Sequence, residues 1–201
     1  MRELLTRGLG VLGALIGASL LVVAPVLAVE GDTVADAVLG QASLTTNECN
    51  AGGISAASLC GPTAVAMDPR TGHLFVADTG NNRVLRFSNS RRFESGVAAD
   101  LVLGQPDFTT ASHCPPERVV SANTLCRPAG LAFDHLGRLY VVDSGNARVL
   151  RFDSPHTDMQ AADLVLGQPD FHTFALGCYP QEQGNVMCEP TDVAVDTTGR
   201  I

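Results

Sequence analysis

The sequence predicts an all-β chain built from tandem four-stranded antiparallel units, and three observations lead there. One unit recurs: it runs from Pro62 to Gln105, again from Pro128 to Gln168, and a third time from Pro190 to Ile201. Each copy holds short runs rich in Val, Leu, Phe and Tyr, bounded by turn residues, which is the composition of strands. No helical spacing of apolar residues appears after residue 29. The period comes first in the reading because a recurring unit dictates the architecture. Gly 20 and Pro 11, against 17% charged residues, suit turn-rich β structure and not disorder.

The N-terminus is a different kind of segment. Met1 to Arg7 carries two arginines and one glutamate, and Gly8 to Val29 carries no charge. Val11 to Val23 forms an apolar heart, followed by Ala24-Pro25-Val26-Leu27-Ala28. Residues 1–28 therefore read as a secretory signal peptide cleaved after Ala28. The uncharged run is also long enough to be an uncleaved signal anchor; its Val-Leu-Ala end favours cleavage. Both readings export residues 29–201, to the outside or to the cell surface and envelope. Any membrane contact would run through this N-terminal segment alone. All six cysteines fall in the exported part, which fits an oxidising compartment. The net charge is -8 and all 13 basic residues are arginine. That balance lacks the basic footprint of a nucleic-acid partner.

The first element of the exported part is Ala37-Val38-Leu39-Gly40-Gln41. It matches Leu101 to Gln105 and Leu164 to Gln168, at offsets of 64 and 63 residues. The chain thus opens with the last strand of a repeat, before a full repeat begins. In a ring of repeats, such a strand at 37–41 would complete another blade. Within each repeat, the first strand is expected at Thr63–Asp68, Ala129–Asp134 and Thr191–Asp196. The second is expected at His73–Asp78 and Arg138–Asp143, and the third at Arg83–Phe87 and Arg148–Phe152. The fourth carries Val-Leu-Gly-Gln. Turns Pro69 to Gly72, His135 to Gly137 and Thr197 to Gly199 join strands one and two, with glycine supplying a positive φ. Asp78-Thr79-Gly80-Asn81 and Asp143-Ser144-Gly145-Asn146 join strands two and three, where Asp can bond turn amides and Gly or Asn tolerates the left-handed region.

Between repeats lie loops Ala42 to Gly61, Pro106 to Arg127 and Pro169 to Glu189. At about 20 residues each they are too long to be idle connections. Every loop contains two cysteines. Six cysteines allow 15 pairings, and the repeat symmetry selects a local bridge in each loop: Cys49–Cys60, Cys114–Cys126 and Cys178–Cys188. None of the three has the Cys-x-x-Cys spacing of a zinc site.

The segments Asp78-Thr79-Gly80-Asn81-Asn82-Arg83-Val84-Leu85-Arg86-Phe87 and Asp143-Ser144-Gly145-Asn146-Ala147-Arg148-Val149-Leu150-Arg151-Phe152 resemble the NHL repeat. The second follows Gly137-Arg138-Leu139-Tyr140-Val141. The resemblance covers Pro62 to Ile201 apart from the cysteine loops. It implies a β-propeller, usually of six blades, with blades at about 62–105, 128–168 and an incomplete one at 190–201. About two and a half blades leave a partial ring with wet end faces. The sequence therefore predicts a fragment of a longer protein, with assembly of several chains into one ring as the alternative. The period, about 64 residues, exceeds the family's unit, and the cysteine loop accounts for the excess.

Candidate chemistry is sparse. Asp78, Gly80, Asn81 and Arg83, with Asp143, Gly145, Asn146 and Arg148, form the recurring signature. Its aspartates could be calcium ligands, but the alternating acids of a calcium loop are missing, and turn backbone explains them. Arg83 and Arg148 could meet a carboxylate partner. Pairing with an Asp across the blade, or a place at its rim, explains them at modest energy. His73 and His135 sit at turns, and His156 stands without a partner motif. His113 and His172 hold similar loop positions near Phe108 and Phe171, where core packing by the phenylalanines is the simpler role. No Gly-x-Ser-x-Gly elbow and no phosphate loop appear. No catalytic residue, metal ligand set or cofactor is assigned. The expected function is an exported interaction module whose disulfide-tied loops meet a protein or glycan. The alternative is a propeller enzyme of the amidating-lyase or hydrolase type, with its active site in blades not present here.

Overall fold

The computed structural model of the chain describes residues 35–88, 94–114, 119–174 and 186–201. Residues 1–28 and Cys178 lie outside the described residues. Among the described residues no helix is long and apolar enough to cross a membrane.

Two four-stranded antiparallel sheets account for the ordered architecture. The first contains β1 (Ala64–Met67), β2 (Leu74–Asp78), β3 (Arg83–Phe87) and β4 (Leu101–Leu103), in that spatial order. The second contains β5 (Pro128–Phe133), β6 (Arg138–Asp143), β7 (Arg148–Asp153) and β8 (Leu164–Leu166). The expected strands appear with ends shifted by one or two residues. Register repeats as well: Val76 pairs with Val65 and Leu85, as Val141 pairs with Leu131 and Leu150. An irregularity between Pro128 and Leu131 sets β5 apart from β1.

The inner strands read as nearly unbroken apolar runs because both of their faces are covered, whereas Val65 and Met67 of β1 are exposed. Phe75, Ala77, Val84, Leu101 and Leu103 on the front of the first sheet pack against Leu131, Leu139, Val141, Leu150 and Phe152 on the back of the second. Phe75 and Phe133 meet edge to face across this boundary, with ring centroids 5.1 Å apart. Such a pair adds about 0.5–1.5 kcal/mol beyond its buried area. Hydroxyls stitch the same boundary: Thr63 Oγ1 donates to the Ala129 carbonyl at 2.8 Å and Thr79 Oγ1 to the Pro128 carbonyl at 2.7 Å.

Two expected strands are not strands. Ala37–Gln41 and Thr191–Asp196 form no ladder, because no neighbouring strand among the described residues supplies their hydrogen bonds. Both still sit where a strand of a further sheet would sit. Val193 and Val195 pack on Tyr140, Val142 and Val149 of the second sheet. Gly40 adopts φ 79°, as Gly104 (87°) and Gly167 (86°) do after β4 and β8. At each of the three, a Cβ would run into a side chain: Leu59, Leu125 and Met187.

Candidate functional site

The signature residues converge on one construction, repeated at the same end of each sheet. Asp78 closes β2 and is fully buried. Its Oδ1 accepts the Cys60 N–H at 2.7 Å, and its Oδ2 accepts Asn81 Nδ2 and Arg83 Nε, each at 2.7 Å. Arg83 opens β3 directly opposite Asp78 in the register, so the ladder itself brings the pair together. The guanidinium is 0% exposed. Its Nη1 donates to the Phe108 carbonyl at 2.6 Å, and its Nη2 donates to the carbonyls of Ser55 (3.0 Å) and Ser58 (2.8 Å).

The second sheet repeats every bond. Asp143 accepts from Cys126 N–H at 2.6 Å, from Asn146 Nδ2 at 2.8 Å and from Arg148 Nε at 2.8 Å. Arg148 donates to the carbonyls of Phe171 (2.7 Å), Ser121 (2.9 Å) and Thr124 (3.0 Å). Burial pushes the Asp143 carboxyl above its ordinary range, and the Arg148 charge, Asn146 and the Cys126 amide pull against it. Each arginine therefore ties the cysteine loop that enters its sheet to the loop that leaves it. A guanidinium does this because its donors are fixed in a planar fork.

The role found for these residues differs from the one expected. Asp78 and Asp143 do not cap their own turns; they bond the amide of a cysteine in the preceding loop. Arg83 and Arg148 pair with the facing Asp, but in the interior and not at a rim. Residue 82 or 147, not the glycine, takes the left-handed conformation, with φ 54° at both Asn82 and Ala147. Gly80 and Gly145 are needed for close approach. A Cβ on Gly80 would lie 2.7 Å from the Cys60 carbonyl oxygen and 2.8 Å from its Sγ, and one on Gly145 would strike Cys126 Sγ.

Disulfides Cys49–Cys60 and Cys114–Cys126 close the two loops, with Cα atoms 4.4 and 5.1 Å apart. Cys188 is disulfide-bonded as well. Beyond the clasps, Asp107 and Asp170 shape the outgoing loops. Asp107 Oδ1 accepts from the N–H groups of Thr109 and Thr110, and Asp170 Oδ1 from those of His172 and Thr173. These donors, led by the Thr109 and His172 amides, hold both carboxyls below the usual range.

Phe108 and Phe171 are partly buried against the sheet cores and lend their carbonyls to the clasp. His113 is exposed, and His172 Nδ1 lies 3.3 Å from the Val120 carbonyl. His135 is exposed in the β5–β6 turn. His73 and His156 line a 380 Å³ cleft between the sheets with Asp68, Arg70 and Arg86, at the opposite end of the strands from the clasps. Among the described residues no three His, Cys, Asp or Glu side chains converge on a metal-sized site.

Gln105 and Gln168 were not singled out from the sequence, although Gly-Gln ends every repeat. Gln105 Nε2 donates to the Asn82 carbonyl at 3.0 Å, and its Oε1 accepts the Ser112 N–H at 3.0 Å. Gln168 Nε2 donates to the Ala147 carbonyl at 2.9 Å. They fasten the left-handed turn to the last strand.

The sequence pattern of the NHL repeat matches residues 59–87 and 125–152. The chain carries two NHL repeats. Each match runs from just before the cysteine that Asp78 or Asp143 holds to the end of the third strand, so the clasp donors lie inside the NHL repeat and most of each cysteine loop lies outside it. The two sheets are NHL blades, consistent with part of a propeller. No curated protein matches the chain.

Proposed function

We propose that this protein is an exported NHL module that binds a protein or glycan through the cysteine loops at the clasp end of its blades. NHL repeats are interaction modules, and two disulfides fit an oxidising, extracellular setting. One observation carries the reading: both buried arginines spend their donors on loop carbonyls, so each blade fixes an incoming and an outgoing loop together. Ordering a loop before it meets a partner removes part of the entropic cost of binding. Only main-chain atoms of Ser55, Ser58, Phe108, Ser121, Thr124 and Phe171 serve the arginines. The side chains of Thr109, Thr110, His113, His172 and Thr173 lie in these loops and are offered for recognition, with Thr109 and Thr173 Oγ1 also donating to Asp107 and Asp170.

The test is a panel of immobilised extracellular proteins and glycans, screened with the purified protein and with a variant carrying Thr109→Ala, Thr110→Ala, His113→Ala and His172→Ala. Binding to one partner should fall at least about tenfold in the variant, a change of about 1.4 kcal/mol, with circular dichroism unchanged. Binding that survives the four substitutions would locate recognition elsewhere.

A further inference from the structure

The 380 Å³ cleft at the far end of the strands from the clasps draws its walls from both blades. The β1–β2 turn gives Asp68 and Arg70, β3 gives Arg86, and the segment after β7 gives Pro155 and His156. Its one lining carboxylate is consumed by its own turn. Asp68 Oδ1 accepts the Arg70 N–H at 2.9 Å, and Oδ2 accepts the Thr71 hydroxyl at 2.6 Å.

The two guanidiniums are anchored but not saturated. Arg70 Nη1 donates to the Leu136 carbonyl of the second blade at 2.8 Å. Its stem lies over Gly137, where a Cβ would come within 2.9 Å of Arg70 Cδ. Nε and Nη2, the side-on edge of its fork, meet no acceptor among the described residues. Arg86 gives Nε to Asp100 at 2.9 Å and Nη1 to the Pro155 carbonyl at 3.4 Å, and its Nη2 meets no acceptor among the described residues. In the second blade the equivalent Arg151 spends both Nε and Nη2 on Asp163. Leu136 stands there in the place of Arg70, so the paired guanidiniums belong to this boundary and not to the repeat.

His156 is set for the opposite task. Its Nδ1 lies 2.7 Å from the Ser154 carbonyl. A carbonyl only accepts, so Nδ1 carries the proton and Nε2 of the neutral ring is an acceptor. Gln160 fixes this segment, accepting the His156 N–H at 3.0 Å and donating to the Asp153 carbonyl at 3.0 Å. Pro155 is buried and adds an apolar wall.

We propose that this cleft binds an acidic sugar, a pyranose ring that carries a carboxylate. The open edges of Arg70 and Arg86 take the planar carboxylate. His156 Nε2 accepts a ring hydroxyl, and Pro155 receives the C–H face of the ring. The volume lies within the range of small-molecule sites, about 300–1,000 Å³, and is more than a bare anion fills. A neutral sugar would leave both guanidinium edges unmet, and sulfate would bring no hydroxyl to His156. The site is separate from the cysteine loops and stands whatever they bind.

The test is calorimetric titration of the full chain with sodium glucuronate, glucose and sodium sulfate at about pH 7.5, where an ordinary imidazole is neutral. Glucuronate should bind with a Kd of about 1 mM or tighter, and glucose and sulfate at least about tenfold more weakly. Arg70→Gln and Arg86→Gln should each weaken glucuronate binding at least about tenfold, and His156→Phe should weaken it severalfold. Arg70 is exposed, so Arg70→Gln reports on the site even where Arg86→Gln, which releases Asp100, lowers stability. Arg127→Gln, at the clasp end, and the four loop substitutions above should leave binding unchanged. Absence of glucuronate binding, equal binding of glucose or sulfate, full binding by Arg70→Gln, or loss through the loop substitutions would each overturn the proposal.

Discussion

The two complete blades make the same clasp but surround it differently. In the first, Asn81 exchanges two hydrogen bonds with Asn50, each 2.8 Å long. In the second, the equivalent Asn146 gives its Nδ2 to Asp143, and its buried Oδ1 has no hydrogen-bond partner among the described residues. The first blade has Asn82 in the left-handed position, where Nδ2 donates to the Ser112 carbonyl at 3.0 Å and Oδ1 accepts the Arg127 N–H at 2.8 Å. The second has Ala147 there, with the same φ and no side chain to reach the next loop. At the other end of the strands the difference reverses. Asp134 holds Arg138 in an ion pair, whereas Asp68 accepts from Thr71 Oγ1 at 2.6 Å and His73 stands at the matching position. The repeat conserves bonds made by the guanidinium and lets the neighbours of those bonds drift between copies.

The largest effect should come from the clasp itself. Arg83→Ala or Arg148→Ala leaves a buried carboxylate without its counter-charge, a loss of about 3–5 kcal/mol. Denaturant unfolding should give similar losses for the two; a loss under about 1 kcal/mol in either would break the equivalence of the blades. Lysine at the same positions should rescue little, because a single ammonium cannot span three carbonyls on two loops.

Next in size are the disulfides. Removing Cys49–Cys60 by paired serine substitution should cost about 2–4 kcal/mol, seen as a lowered thermal midpoint. The same change at Cys114–Cys126 should cost about as much in chain entropy, with Asn82 still holding residues 112 and 127 on either side of that loop.

The asparagines sharpen the comparison. Asn81→Ala strands Asn50 and should cost about 2 kcal/mol, while Asn146→Ala discards an already unpaired oxygen and should cost about 1 kcal/mol. Equal losses would mean that the orphaned oxygen has no energetic weight. Ala147→Gly should raise stability by about 1 kcal/mol, since a left-handed φ burdens a Cβ; Asn82→Gly should lower it, because two tethers go with the side chain.

The smallest effect concerns pH. Burial raises the Asp134 carboxyl, but the Arg138 and Leu136 amides and the Arg138 guanidinium outweigh it, so the group titrates below its ordinary value. Asp100 is lowered likewise, burial being outweighed by Arg86 and Ser88. A depressed folded pKa stabilises above the unfolded value, and that stability is lost as pH falls through the folded one. Unfolding free energy should therefore hold from neutrality down to about pH 4, near the unperturbed Asp value, and decline below it. Asp134→Asn should flatten the acid limb, and an unchanged acid limb would remove Asp134 from the account.

Most of the fold was legible because its signals are local. Strand composition, Gly-bearing turns and a fixed period place β1 to β8 within a residue or two. The failures at Ala37–Gln41 and Thr191–Asp196 have one cause: a strand exists only beside another, and no single segment records its neighbour. The clasp was half legible. Recurrence singled out Asp78, Arg83, Asp143 and Arg148, and register explains why each pair meets. Their burial was not visible, because their partners are main-chain carbonyls about 25 residues away whose positions no side-chain pattern encodes. Gly80 and Gly145 recur at the turn because of contact with a cystine and not because of a positive φ, a reason that the turn pattern does not carry.

Main-chain acceptors have a further consequence for this protein. Every residue type offers the same carbonyl, so a guanidinium that grips Ser55, Ser58 and Phe108 by their backbone is indifferent to what those loops display. Surface substitutions there can accumulate without loosening the frame beneath them. A lineage of such chains could diversify what it touches while its scaffold stays constant.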